Sequence, residues 1–156
     1  MKARNNPPPY TIPIVHLEIV KDSAIHYGTV QVQTSSEMAD LFKSIIGKRN
    51  TENMLICTVD ARNQPSLLQI TGIGTVDYCQ FSVPDIWKAA LISNASGVIV
   101  SHNHPSGNVS PSIHDLEATK KLIAAGNTIG IPLIDHIIVF GDKHYSFHDD
   151  RPCLWD

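Results

Sequence analysis

The run Gly97-Val98-Ile99-Val100-Ser101 constrains the fold more than any other stretch of the chain. It is apolar without polar alternation, the pattern of a strand covered on both faces. Helices to cover it are legible nearby. Ser35-Ser36-Glu37 reads as a helix start, and Met38, Leu41, Phe42, Ile45 and Ile46 form one apolar stripe at helical spacing, with Gly47 as the stop. Pro84 suits the first turn of a second helix, which carries Ile86, Ala89, Ala90 and Ile92 to about Asn94. Ser112 opens a third helix, expected to run to about Ala125 and end at Gly126-Asn127. Strands are expected at 54–59, at 67–71 after the turn Asp60–Asn63, and at 76–81. Ile131–Phe140 and His144–Phe147 read as a hairpin around Gly141-Asp142. The expected fold class is α/β, one domain with a mixed sheet flanked by about three helices.

The ends read differently. Residues 1–9, with Pro7, Pro8 and Pro9, form a flexible tail, and Tyr10 to about Gln33 is a strand-like leader carrying Ile12, Ile14, His16 and Glu18. An unpaired strand there could join a neighbour's sheet edge, so a homodimer is among the expected partners. The domain proper is placed at 34–150, and 151–156 forms a C-terminal tail. No apolar run approaches the roughly 18 residues of a membrane span, and no apolar segment follows the basic N-terminus as in a signal peptide. Cytoplasmic localisation without membrane contact is the expectation. Cys57, Cys79 and Cys153 are odd in number and include no C-x-x-C pair, so neither a disulfide framework nor a cysteine-rich zinc site follows. A net charge of −3 with scattered Lys and Arg argues against binding a nucleic-acid backbone.

The chemistry concentrates between Ser101 and Asp115. His102 and His104 lie two apart at a strand end, so on extended backbone their side chains leave the same face. A loop rich in Pro, Ser, Gly and Asn follows, and Asp115 falls in the first turn of the next helix. If the loop folds that turn back over the strand end, two imidazoles and one carboxylate converge. Three protein ligands leave a fourth position for water, as in a catalytic zinc site. Each piece also has a plainer reading: His-x-His alone is commonplace, Ser112-x-x-Asp115 alone is a capping box, and His114 is a rival ligand.

Taken together, His-x-His, seven residues, then Ser-x-x-Asp resembles the signature of the JAB/JAMM (MPN+) metalloproteases. His102-Asn103-His104-Pro105-Ser106-Gly107, Pro111-Ser112 and Leu133–Val139 look like its RadC-type branch, as do Gly74-Thr75, Asn94-Ala95 and Tyr145-Ser146-Phe147. The resemblance covers roughly Thr34 to Asp149 and implies a JAB/MPN-like, cytidine deaminase-like fold. That branch has a glutamate just before a hydrophobic strand ending in Asp-x-x-Asn. Glu52, ahead of Met54–Asp60 and Asn63, is the match. The chain departs from the branch at Met54 and at Pro84-Asp85-Ile86, outside the ligand set.

The resemblance implies Zn2+ held by His102, His104 and Asp115, with Glu52 and Ser112 catalytic. Glu52 would activate a water for attack on an amide carbonyl, and Ser112 would hydrogen-bond the developing oxyanion. The implied substrate is a peptide or an isopeptide-linked protein. Asp135 reads either as a partner orienting a zinc-ligating histidine or as a core hydrogen-bonding group. His16, His26, His144 and His148 read as surface or edge residues. RadC-type chains commonly carry a helix-hairpin-helix region linked to DNA, and residues 1–33 do not match it. Two other readings stay open: a DNA-associated or protein-interaction module with a structural zinc, and a metal-dependent nuclease.

Overall fold

The computed structural model describes residues 12–28, 31–74 and 82–156. Helix α1 (Ser35–Ile46) is capped by Thr34, whose side chain accepts from Glu37 N, and it buries Met38, Leu41, Phe42 and Ile46 as the stripe predicts. Burying side chains of this size stabilises the fold by about 1.5–3 kcal/mol each. Strand β1 (Asn53–Val59) is buried along its whole length, and β2 (Pro65–Ile73) returns antiparallel to it. The reversal is held by Asp60 Oδ1, which accepts from Arg62 N and Gln64 N, and by Asn63 at φ 57°. Helix α2 (Val83–Ile92) starts from the Ser82 cap with Pro84 in its first turn. Strand β3 (Gly97–Asn103) follows, buried throughout. Then come α3 (Ile113–Ile129), β4 (Leu133–Phe140), β5 (Lys143–Ser146), the short α4 (Phe147–Asp150) and a single 3-10 turn at Pro152–Leu154.

The five strands form one mixed sheet in the order β2-β1-β3-β4-β5. Only β3 and β4 are parallel, as their crossover through α3 requires. Side chains alternate across this sheet. Met54, Ile56, Val98, Val100 and Leu133 pack against α2 and α3, through Ile86, Trp87 and Leu122. Leu55, Cys57, Val59, Ile99, Ile137 and Val139 pack on the other face, against Met38, Phe42 and Ile46 of α1. The two-sided cover inferred for Gly97–Ser101 is thus real. Past Asp150 the chain stays attached: Trp155 Nε1 donates to Leu133 O, and Leu154 and Trp155 pack on the α2/α3 side.

Two expectations change, and a third is not reached. Residues 12–28 contain no strand, and Ile12, Ile14, Leu17 and Val20 are exposed. Alternation alone does not make a strand without a paired edge, and Pro13 removes one backbone donor. The strand expected at 76–81 lies outside the described residues. Helix α3 does not stop at Gly126; it continues to Ile129, and Gly130 at φ 81° ends it. Gly126 is there for contact: a Cβ would stand 2.7 Å from Ile131 O and 2.9 Å from Trp87 Cζ2.

This gives a test. In an open helix Gly→Ala gains about 1 kcal/mol. Gly126→Ala is instead expected to lose about 1–3 kcal/mol of unfolding free energy through overpacking. A urea melt checks it, and a neutral or stabilised variant would mean that Gly126 is not a packing position.

Candidate metal centre

The parity of β3 decides which side chains meet. His102 leaves the sheet on the side of Val98 and Val100, toward α3, while Asn103 leaves on the side of α1. His104 stands one residue past the strand and stays in line because its N–H donates to Val139 O. From there Pro105–Pro111 turns the chain back. Ser112 caps α3 by accepting from Asp115 N, and Asp115 reciprocates by accepting from Ser112 N at 2.7 Å. The capping box and the convergent site use the same two residues. The cap holds the Asp115 carboxylate over the strand end.

His102 Nε2 lies 2.9 Å from His104 Nε2 and 3.1 Å from Asp115 Oδ1, and His104 Nε2 lies 3.5 Å from Asp115 Oδ2. Glu52 Oε1 stands further back, 3.7 Å from His102 Nε2 and 4.0 Å from His104 Nε2. One ligand atom from each of these four residues lies within 4.8 Å of all the others. His114 is exposed and outside the cluster. Ser112 is exposed at its edge, with its hydroxyl donating to Asp115 Oδ2 at 2.7 Å.

The donor set fits a metal ion. His104 Nδ1 faces the carbonyl of Asn108 at 2.7 Å, and a carbonyl only accepts, so in the neutral ring Nδ1 carries the hydrogen and Nε2 is bare. Electron pairs of nitrogen and oxygen therefore converge on one point, which a cation there would satisfy. Tetrahedral zinc with bonds of about 2.0–2.1 Å sets its ligand atoms about 3.3 Å apart. The spacings of 2.9–3.5 Å among His102, His104 and Asp115 bracket that value, whereas Glu52 lies outside the triangle. Burial alone would raise the Asp115 carboxyl, but its contacts with the His102 and His104 rings and with the Ser112 hydroxyl outweigh that and hold it well below the ordinary range. Burial opposes a proton on His104, yet Asp115, Asn108 and Glu52 together raise its pKa, so at low pH a proton on Nε2 competes with an ion for the same electron pair.

Glu52 is placed by a residue that sequence reasoning passed over. Asn103, wholly buried between the two histidines, accepts from Asn53 N at 2.8 Å and donates to Thr51 O and Arg49 O. Asn53 Nδ2 also donates to Thr51 O at 2.7 Å. These bonds pin the turn that carries Glu52 to β3. His136 was passed over as well. It is buried, with Nε2 2.8 Å from His102 Nδ1 and Nδ1 2.7 Å from Thr119 Oγ1. Burial first, and His102 second, hold His136 well below the usual histidine range.

Of the two readings of Asp135, core hydrogen bonding is what its contacts show. Its Oδ1 accepts from His136 N and His148 N, and its Oδ2 from the Ser146 hydroxyl. Facing the α1 side, it is on the wrong side of β4 to reach His102.

A small mixed α/β domain with a carboxylate–histidine cluster at the end of a central strand is the class defined by this geometry. Comparison with known proteins gives it a family. The sequence profile of the RadC-like JAB domain matches residues 32–152, and the chain belongs to that family. Similar proteins include a UPF0758 protein of Trichormus variabilis, 37% identical over 108 residues, which are 69% of this chain and 44% of that one. One of Trichodesmium erythraeum is 35% identical over 125 residues, covering 80% of this chain and 51% of the relative. One of Methanosarcina mazei is 28% identical over 120 residues, 77% and 52% of the two chains. The chain spans about half the length of these curated relatives. Among the described residues, no helix is long and apolar enough to cross a membrane.

Asp135 generates a pH prediction. Burial outweighs its three hydrogen bonds and raises it from 3.8 to about 6. The folded state then binds a proton that the unfolded chain has lost, so stability falls as pH rises from about 4 through about 6. Asp135→Asn keeps an acceptor for both N–H groups and an amide donor for Ser146. The unfolding free energy of wild type is expected to drop relative to this variant across that window in denaturant melts. Parallel profiles would contradict the assignment.

Proposed function

We propose that the chain is a zinc-dependent hydrolase of amide bonds, with a peptide or an isopeptide-linked protein as substrate. One observation carries the reading: three residues whose nearest ligand atoms lie 2.9–3.5 Å apart, with a second carboxylate, Glu52, set back from them. His102, His104 and Asp115 would hold the ion, and two imidazoles with one carboxylate suit zinc while leaving a position open. Bound zinc supplies Lewis-acid polarisation of a carbonyl and acidifies water.

The remaining work falls to the chain's own residues. Glu52 is one-eighth exposed and set back from the ligand triangle, 3.7 Å from His102 Nε2, so it is placed to take the proton of an attacking water. As the water oxygen bonds the carbonyl carbon and the C–N bond breaks, Glu52 returns that proton to the leaving amine. Ser112 turns its hydroxyl from Asp115 Oδ2 to the developing oxyanion, and the carboxylate keeps its bond from Ser112 N. Asn103 keeps Glu52 in register with the histidines through this cycle. Family membership supports the reading, since the JAB/JAMM signature resembled by these residues is that of metalloproteases.

Glu52→Gln separates base from ligand. With peptide and isopeptide libraries, the variant is expected to keep one zinc per chain and to lose about 10²–10⁴-fold in cleavage rate. Cleavage equal to wild type would overturn the role of Glu52, and loss of zinc would make it a ligand instead.

A further inference from the structure

We propose that Thr119 and His136 are positioning residues that fix the tautomer of His102, through a hydrogen-bonded relay that begins and ends on Asp115. The inference rests on the metal reading above for its purpose, but its geometry stands by itself.

The relay follows from counting protons. Thr119 Oγ1 lies 2.7 Å from the backbone oxygen of Asp115, one helical turn earlier. A carbonyl oxygen only accepts, so the single hydroxyl hydrogen of Thr119 is committed to it. The hydroxyl then has only lone pairs to offer to His136 Nδ1, 2.7 Å away, and that nitrogen must carry the imidazole hydrogen. A neutral imidazole has one such hydrogen, so His136 Nε2 is an acceptor. It faces His102 Nδ1 at 2.8 Å, which must therefore be the donor. The consequence is that His102 Nε2 carries no hydrogen. It is this atom that stands 3.1 Å from Asp115 Oδ1 and 2.9 Å from His104 Nε2. The path thus runs from the main chain of Asp115 through Thr119 and His136 to His102, and returns to the side chain of Asp115.

The other metal-facing imidazole has its own anchor in the Asn108 carbonyl. Both histidines thereby present bare Nε2 atoms before any ion arrives. The relay is also sealed. Thr119 and His102 are 0% and 2% exposed and His136 1%, so water does not compete for these bonds. Without the Thr119 hydroxyl, nothing in the relay would forbid the opposite pattern. His136 could then donate from Nε2, and His102 would carry its hydrogen on the nitrogen that should meet the metal.

Two substitutions and two readouts test this on the full chain. Long-range 1H–15N NMR of the metal-free protein is expected to show hydrogen on Nδ1 of His102 and of His136 in wild type and in Thr119→Ser. In Thr119→Val, which keeps the shape and removes the hydroxyl, hydrogen should appear on Nε2 of both rings. In competition with a chelator, zinc affinity is expected to fall about 10–100-fold in Thr119→Val and to stay near wild type in Thr119→Ser. Hydrogen on Nε2 of His102 in wild type would overturn the proposal, as would a Thr119→Val variant unchanged in both tautomer and affinity. The expected tautomers in a wild-type chain that binds no zinc would support the relay and overturn the metal reading instead.

Discussion

Two imidazole nitrogens face each other at 2.9 Å across a point that Asp115 and Glu52 also approach. Lone pairs brought this close repel unless something positive lies between them. Nearly every local feature of the fold serves to hold that juxtaposition. Strand β3 puts both histidines on one line, and Val139 O keeps His104 on it after the strand ends. The Ser112–Asp115 capping box supplies the carboxylate while satisfying the start of α3, so a single pair of residues serves helix and site. A helix cap is usually worth about 0.5–2 kcal/mol. Here the same bonds also fix a donor atom in space.

The sheet's alternation distributes the work. On the α3 side, even-numbered positions of β3 and β4 bring His102 against His136, and His136 against Thr119. On the α1 side, Asn103 reaches the turn after that helix and ties Arg49, Thr51 and Asn53 to β3. Three consecutive residues, the last just past the strand, therefore aim a ligand, a scaffold bond and a second ligand in succession. A shift of one residue in register would exchange the faces and dismantle both halves of the site. The fully buried pairing of β1 with β3, Met54 opposite His102 and Leu55 opposite Ser101, is what prevents it.

Much of this was legible in the sequence because it rests on local rules. The stripe of Met38, Leu41, Phe42 and Ile46 announced α1, and the unbroken apolar run at Gly97–Ser101 announced a central strand. The spacing from His102 to Asp115 brought together the residues that the structure also groups. The remainder depended on three-dimensional context. Gly126 looked like a helix end because glycine usually is one there, yet tertiary contact with Trp87 and Ile131 explains it. The leader alternated like a strand but has no partner edge at residues 12–28. Asp135 drew attention over His136 because Leu133–Phe140 is apolar on both faces, so its pattern gives no parity. Only the register of β4 against β3 shows that 136, not 135, points at His102.

On the proposed reading, His102, His104 and Asp115 would hold a zinc ion with Glu52 beside it. Anomalous diffraction from crystals grown with zinc tests it most directly. The account predicts one strong peak per chain, about 2.0–2.2 Å from His102 Nε2, His104 Nε2 and an Asp115 oxygen, and beyond bonding distance of Glu52. A peak bonded to Glu52 in place of Asp115, or zinc held only elsewhere on the chain, would contradict it.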